Sequence, residues 1–381
     1  MANAFYARSG RACNHYELWR EDALLLKALG QKAYRMSIEW SRIEPTKGHF
    51  EKEATEHYVK ELAFLKENGI QVFVTLIHFT TPRWFSDMGG YANTENLKYF
   101  ERYLDYIVPI IAPYADNWNI MNEINLGIGE EAFKRKMSAI QFHARGNHVV
   151  KKYSKAPIST AHAFGEYTPK RHHDAFDKKM AEYVDWANNA FFFHAIRTGE
   201  LVLPFMDGEI CPEVKGSVDY WAINIYTRTL IDARLQNLFG TRYVHKKLDM
   251  VKTALHNEMY PEIMIAQLTR IQDKPVIITE NGCCCDDDRF RVAYLALYLS
   301  ALREAMDMGV DVRGYLHWST MDNYEWNSFV PRFGLVDVNY ETFKRTPKPS
   351  AYFFKEIIEN NGFTQEILRK YLHELPTLGQ R

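Results

Sequence analysis

The 381-residue chain has no excess of charge of either sign: 47 Lys+Arg stand against 48 Asp+Glu, a formal charge of −1. Without a basic surplus it lacks the electrostatic footprint of a nucleic-acid binder, and no nucleic-acid partner is expected. Long apolar runs are missing as well. The opening stretch MANAFYARSGRACNHYELWRED carries no signal-like hydrophobic segment, and the longest apolar stretches, such as 107–112, are far too short to span a bilayer, so membrane association is not expected. Cysteine is scarce. The five (Cys13, Cys211, Cys283, Cys284 and Cys285) are an odd number with three in a row, which fits neither a disulfide framework nor paired C-x-x-C zinc spacing. A reducing, cytoplasmic location is the expectation. Phosphate-binding glycine loops of the G-x-G-x-x-G or G-x-x-x-x-G-K-[ST] kind are absent, which removes the usual signature of nucleotide-binding sheets. No Pro/Gly-rich or low-complexity break interrupts the chain, so a single domain over 1–381 is expected.

With 46% hydrophobic and 14% aromatic residues, the chain has the makeup of a protein that buries a large core. Strand-like runs at 33–38, 71–79, 118–123, 157–161, 218–226, 275–280 and 312–318 alternate with helix-like segments. The helical segments lie near 16–29, 53–68, 95–114, 130–153, 172–198, 258–272 and 289–308, with closing helices near 349–374. Seven strands separated by helices imply parallel pairing through right-handed crossovers, in an open doubly wound sheet or a (β/α)8 barrel. Polar residues gather where strands end: Arg35, His78, Asn122 with Glu123, Asn224 with Tyr226, Glu280 and Trp318. A barrel keeps its active site at those ends.

Side chains two apart share one face of a strand, so Val276, Ile278 and Glu280 align, as do Val72, Val74, Leu76 and His78, and Asn224 with Tyr226. A charge that ends an inward apolar stripe costs several kcal/mol unless it is paired or functional. Each such residue taken singly could be one half of a buried ion pair, but six polar strand ends together point to a site. Two carboxylates on well-separated strands, with aromatics nearby, are what glycosidic cleavage requires: one protonated at the leaving oxygen, the other on the opposite face of the sugar. Glu123 and Glu280 are the best-placed pair. Trp318 and Trp326 can stack on a pyranose, while His, Asn and Glu side chains bind its hydroxyls.

The segments AYRMSIEWSRIEP (33–45), TLIHFTTPRWF (75–85), WNIMNEI (118–124), AINIYT (222–227), VIITENG (276–282), GYLHWSTMDNYEW (314–326) and PRFGLVDV (331–338) closely resemble the family 1 glycoside hydrolases. This is the β-glucosidase and β-galactosidase group. The order and spacing match from about Ser9 onward, and the chain looks nearest to the compact archaeal β-glycosidases, including ILRKYLHELP (367–376). The resemblance implies a (β/α)8 TIM barrel and a retaining mechanism with Glu280 as nucleophile and Glu123 as acid/base. By the same resemblance Arg35 would sit beside Glu280 and hold its charge, Tyr226 would donate a hydrogen bond to it, and Asn224 would support that geometry. His78, Asn122 and Glu325 would bind sugar hydroxyls, with Trp318 and Trp326 as the platform. It also implies a β-linked glycoside substrate. Glu325 would repel a phosphate, so unphosphorylated glucosides and galactosides are expected, and a Glu rather than a Gln at 123 points away from thioglucosidases.

The sequence departs from the family at four places, one of them a segment after Glu123 that is shorter than usual in the family. The first barrel strand and its G-x-A-T-x-x-x-Q-x-E-G-like segment, whose Gln binds sugar, precede the matched region, so the barrel is expected to lack its usual first strand unless NAFYA (3–7) makes a short substitute. Unpaired edges would then invite a homo-oligomer. Ile124 stands where the family has Pro, and Ile225 replaces an aromatic. Two alternatives remain: a transglycosidase using the same residues, and a catalytically impaired sugar-binding barrel. His143 with His148, and His172 with His173, read as core or solvent-facing residues, so no metal and no cofactor are expected. The Cys283–Cys285 run reads as a packed loop thiol cluster, with sensitivity to oxidation as a weaker expectation. Ile367, Leu368, Tyr371, Leu372 and Leu375 form a stripe expected to dock on the barrel itself.

Overall fold

The computed structural model describes residues 8–235 and 258–373. Seven parallel strands form one sheet: β1 (Ala33–Ser37), β2 (Gln71–Ile77), β3 (Asn117–Asn122), β4 (Ile158–Ala163), β5 (Trp221–Asn224), β6 (Val276–Asn281) and β7 (Val312–His317), paired in chain order. Helices return between them: α1 (His15–Ala28), α2 (Lys52–Glu67), α3 (Leu97–Ile111), α4 (Glu130–Tyr153), α5 (Ala175–Asp185), α6 (Phe191–Thr198) and α7 (Asp288–Asp307). The helix expected over 172–198 is divided by a wider turn at Trp186–Ala190, and that expected over 258–272 contracts to Ile263–Leu268. The closing segment forms α8 (Pro349–Asn360) and α9 (Gln365–Tyr371). Ile367, Leu368, Tyr371 and Leu372 pack against the apolar cluster around Phe353 and Phe354, so this stripe is covered by the protein's own barrel. Leu375 lies outside the described residues.

The helices form because their apolar residues recur at 3.6-residue spacing. In α3, Phe100, Tyr103, Leu104, Ile107, Val108 and Ile111 are all buried and face the sheet. Val72, Val74 and Leu76 of β2 share one cluster with these residues and with Leu62 and Leu65 of α2. Helix α4 can lie directly on β3 because Gly146 has no side chain: a Cβ there would fall 2.4 Å from Ile120 Cγ2.

The barrel interior is a separate, smaller cluster of Phe73, Ala161, Tyr220, Ala222 and Ile277, flanked by Ala33 and Leu316. This corrects the strand faces read from the sequence. Val72, Val74 and Leu76, and likewise Val276 and Ile278, point outward to the helices, and the alternate residues point inward. Glu280 nonetheless reaches the interior, because the β5–β6 register shifts between Ile278 and Glu280. A corresponding shift lies between Asn119 and Asn122 on β3. An irregularity of this kind at a barrel rim re-aims the side chains that follow it.

Strands β1 and β7 end the ladder. A cavity of about 590 Å³ runs along the seam between them, lined by 33–37 of β1, by 313–317 of β7, and by Cys13, His15 and Tyr16 at the start of α1. The NAFYA stretch lies outside the described residues. Among the described residues the barrel is therefore a (β/α)8 fold with seven of its strands, as the sequence implies.

Candidate active site

The C-terminal ends of the strands surround a second cavity of about 660 Å³, lined by His78, Glu123, Asn224, Tyr226, Glu280, Trp318, Glu325 and Trp326. The structure thus brings eight of the ten candidate residues to one cavity wall, and Arg35 and Asn122 bond to its members from beneath. It shares Ser37, His78, Trp318 and Asn323 with the seam cavity.

Glu280 is buried and both of its oxygens are held. Arg35 Nη1 donates to Oε1 at 2.5 Å and the Tyr226 hydroxyl donates to Oε2 at 2.7 Å. Arg35 is the middle residue of β1 rather than a strand-end residue, and its length carries the guanidinium across the interior. There Nη2 donates to Asn122 Oδ1 at 2.5 Å and Nε to Thr75 Oγ1 at 3.0 Å. A planar guanidinium suits this task because its fixed fork of donors serves several acceptors at once. Burial, reinforced by the Glu280 charge, raises the Tyr226 phenol well above its usual range, so it remains a neutral donor.

Glu123 follows the last residue of β3 with φ of +50°, a left-handed conformation that is strained for a side chain of this size. Asn224 Nδ2 donates to its Oε1 at 2.9 Å and to Asn122 Oδ1 at 3.1 Å. Asn224 is itself oriented by the Thr279 hydroxyl, which donates to its Oδ1 at 2.7 Å. Burial, and then the negative charge of Glu280, push the Glu123 carboxyl up to about 8. Two acids in one cavity therefore differ in environment: one is clamped by a cation and a phenol, the other is desolvated beside an anion.

The loop after β7 supplies the aromatic wall. Trp318 Nε1 donates to Glu325 Oε1 at 3.0 Å, and the His78 ring stacks on Trp318 with centroids 5.9 Å apart. Burial pushes Glu325 up to about 7 and His78 down to about 3, so the imidazole is neutral. Trp326 is 62% exposed at the mouth, 5.3 Å from the ring of Phe79. Asn122 Nδ2 is buried with no hydrogen-bond partner among the described residues, which leaves a donor for a bound polar group.

Sequence reasoning missed Thr75 and Thr279, which orient Arg35 and Asn224, and missed Phe79, Phe164 and Tyr167 in the cavity wall. The inward parity of Thr75 with Phe73 would have revealed Thr75 once the interior face of β2 was assigned. His143 is buried, with its ring nitrogens at hydrogen-bond distance from the Thr160 and Ser217 hydroxyls. Among the described residues no group of three or more His, Cys, Asp or Glu is placed to hold a metal ion, and no helix is long and apolar enough to cross a membrane.

A parallel barrel whose strand ends gather two carboxylates, an arginine, amides and indoles around one cavity has the constitution of a carbohydrate-cleaving barrel enzyme. The sequence profile described as Glycosyl hydrolase family 1 matches residues 4–363, and the chain belongs to that family of glycoside hydrolases. It is 30% identical to Beta-glucosidase A of Thermotoga maritima over 92% of this chain and 87% of that protein. Identity to a Beta-galactosidase of Pyrococcus woesei is 29%, over 94% and 88%. Among solved structures, a beta-glycosidase from Pyrococcus horikoshii superposes with a TM-score of 0.85 at 32% identity, covering 96% of this chain and 89% of that one. A beta-glucosidase from Thermotoga maritima in complex with glucoimidazole gives 0.84 at 29% identity, covering 92% and 88%.

Proposed function

We propose that the protein is a retaining β-glycosidase acting on unphosphorylated β-D-glucosides or β-D-galactosides, with the whole chain as one catalytic domain. The observation that carries this reading is the unequal treatment of two carboxylates in one cavity: Glu280 held on both oxygens by Arg35 and Tyr226, and Glu123 pushed up to about 8. In the first step the Glu280 carboxylate attacks the anomeric carbon while Glu123 gives its proton to the departing glycosidic oxygen. A glycosyl ester on Glu280 results. In the second step Glu123, now a carboxylate, takes a proton from water as the water oxygen displaces Glu280. Tyr226 and Arg35 receive the carboxylate charge back as the ester breaks.

The sugar would lie against Trp318, with Glu325, His78 and the unpartnered Asn122 Nδ2 toward its hydroxyls, and Trp326 at the mouth. The acid at Glu325 supports an unphosphorylated glycone: raised to about 7, it is partly ionised near neutral pH, and a phosphate beside it would meet that like charge. Beta-glucosidase and beta-galactosidase relatives support both sugar configurations. The test is release of p-nitrophenol from its β-D-glucoside and β-D-galactoside, with the first-formed sugar anomer read by NMR. Early β-anomer is the expected product. Early α-anomer overturns the retaining mechanism, and no release from either substrate overturns the activity.

A further inference from the structure

The consecutive cysteines that follow the nucleophile strand are unused by this chemistry, and the structure gives them different surroundings. Cys283 is fully buried, Cys284 accepts a hydrogen bond from the Arg332 backbone N–H at 3.2 Å, and Cys285 is half-buried at the surface. The sulfurs of Cys283 and Cys285 lie 3.8 Å apart. Beside them Arg291 is 1% exposed, with one arm paired to Asp288 and the other donating to the carbonyls of Cys285 and Arg332. Its Nε–H has no hydrogen-bond partner. A buried cation with a spare donor beside a partly buried thiol is an environment that favours thiolate.

We infer that Cys285 is a peroxide-reactive thiol which, with Cys283 as its resolving partner, forms a reversible disulfide that throttles the active site from behind Glu280. The thiols differ in the sense the chemistry needs. The hydrogen bond from Cys283, followed by the Arg291 charge, pulls Cys285 below its usual range, whereas burial holds Cys283 well above it. The Cys285 thiolate attacks one oxygen of hydrogen peroxide, the O–O bond breaks, and hydroxide leaves to be protonated to water, giving Cys285 sulfenic acid. The Cys283 thiol attacks that sulfur, its proton leaves with the sulfenic oxygen as a second water, and the S–S bond closes. Two thiols are oxidised and one peroxide is reduced to two waters.

Closure must bring the sulfurs from 3.8 Å to about 2.05 Å, which turns the two side chains and pulls on the 283–285 backbone. That segment has little room. Gly282 is pressed so tightly on the Trp318 carbonyl that a Cβ there would lie 1.7 Å from the oxygen. Asn281 Nδ2 is fixed to the Ile225 carbonyl and the Tyr294 hydroxyl. Movement is thus transmitted to Trp318 and its partner Glu325, and to the end of the strand bearing Glu280.

The test treats full-length protein, reduced and freed of reductant, with hydrogen peroxide. A loss of about 2 Da on the peptide containing 283–285 and a fall in kcat/KM of roughly ten- to hundredfold are expected, both reversed by dithiothreitol. Cys285→Ser and Cys285→Ala should keep full basal activity and resist peroxide, while Cys284→Ser should stay sensitive. The peptide mass reads the disulfide independently of whether Glu123 and Glu280 have the roles proposed above. Absence of the 283–285 crosslink, an undiminished rate in crosslinked protein, or equal peroxide inactivation of Cys285→Ser would each overturn the inference.

Discussion

The β3–β5–β6 sector and the β7–β1 seam hold opposite walls of one cavity by different means. In the first, every strand is laddered on both sides, and Asn122, Glu123, Asn224 and Thr279 are joined by a continuous set of hydrogen bonds, to which Arg35 links Glu280. In the second, the two strands end the sheet, a cavity of about 590 Å³ runs along them, and the site residues Trp318, Glu325 and Trp326 come from the loop after β7. Placing reacting groups to fractions of an ångström needs the first arrangement, because small misplacements there cost large factors in rate. Holding a sugar by stacking and hydroxyl contacts tolerates the second. Arg35 is the tie between them: it stands on a strand that ends the sheet, yet its donors reach Glu280 and Asn122 on the other side.

If bond-breaking belongs to the laddered sector, substitutions there should act mainly on kcat. The largest effect is expected from Glu280→Gln, with hydrolysis of aryl glycosides falling by several orders of magnitude while circular dichroism is unchanged. Near-normal turnover in that variant would remove the nucleophile from Glu280. Next in size is Glu123→Ala, about 10²–10⁴-fold for poor leaving groups and much less for dinitrophenyl glycosides, which leave without an acid. Added azide should restore turnover and yield the β-glycosyl azide; an unresponsive variant would break the acid/base assignment.

The seam side should behave differently. Glu325→Ala removes the acceptor of the Trp318 indole and one acid lining the cavity. We expect KM to rise roughly ten- to hundredfold, the loss of one or two charge-assisted hydrogen bonds, with kcat changed far less. Steady-state kinetics on p-nitrophenyl glucoside decide it. A fall in kcat matching that of Glu123→Ala would erase the distinction between the two sectors.

Much of this was legible in the chain, for reasons that differ by residue. Helix α3 and strand β2 announce themselves because burial fixes their periodicity. Asn224 sits on the inward face that its parity with Ala222 and Tyr220 indicates. Glu280 and Asn122 were assigned to the site although simple alternation would have turned them toward the helices. Register shifts at Ile278/Glu280 and Asn119/Asn122 reverse that parity, and alternation cannot foresee a shift that depends on how the neighbouring strand pairs. The short pair Glu166–Pro169 with Arg228–Ile231 was invisible for a similar reason, since its partners come from distant loops beyond the strand ends. Arg35 was placed at a strand end, whereas it is the residue's length, not its position, that brings it to the site.

The smallest predicted effect separates the two acids by their proton affinity. On the proposed mechanism Glu123 must be protonated in the first step, so kcat/KM should fall on the alkaline side as that group, at about 8, loses its proton, and Glu123→Gln should lose this limb. The same shift has a consequence for stability. Unfolded, Glu123 titrates near ~4.3, well below its folded value of about 8, so folding favours the protonated form. Its contribution is fully present below the unfolded value and is lost as pH rises through the folded one. Glu123→Gln, permanently neutral, escapes that loss. Relative to the parent protein its Tm should therefore be higher at pH 9 than at pH 4, by roughly 4–8 °C. A Tm gap that stays constant between pH 4 and pH 9 would show that Glu123 is not held protonated by its surroundings, and the distinction between the two carboxylates would fail with it.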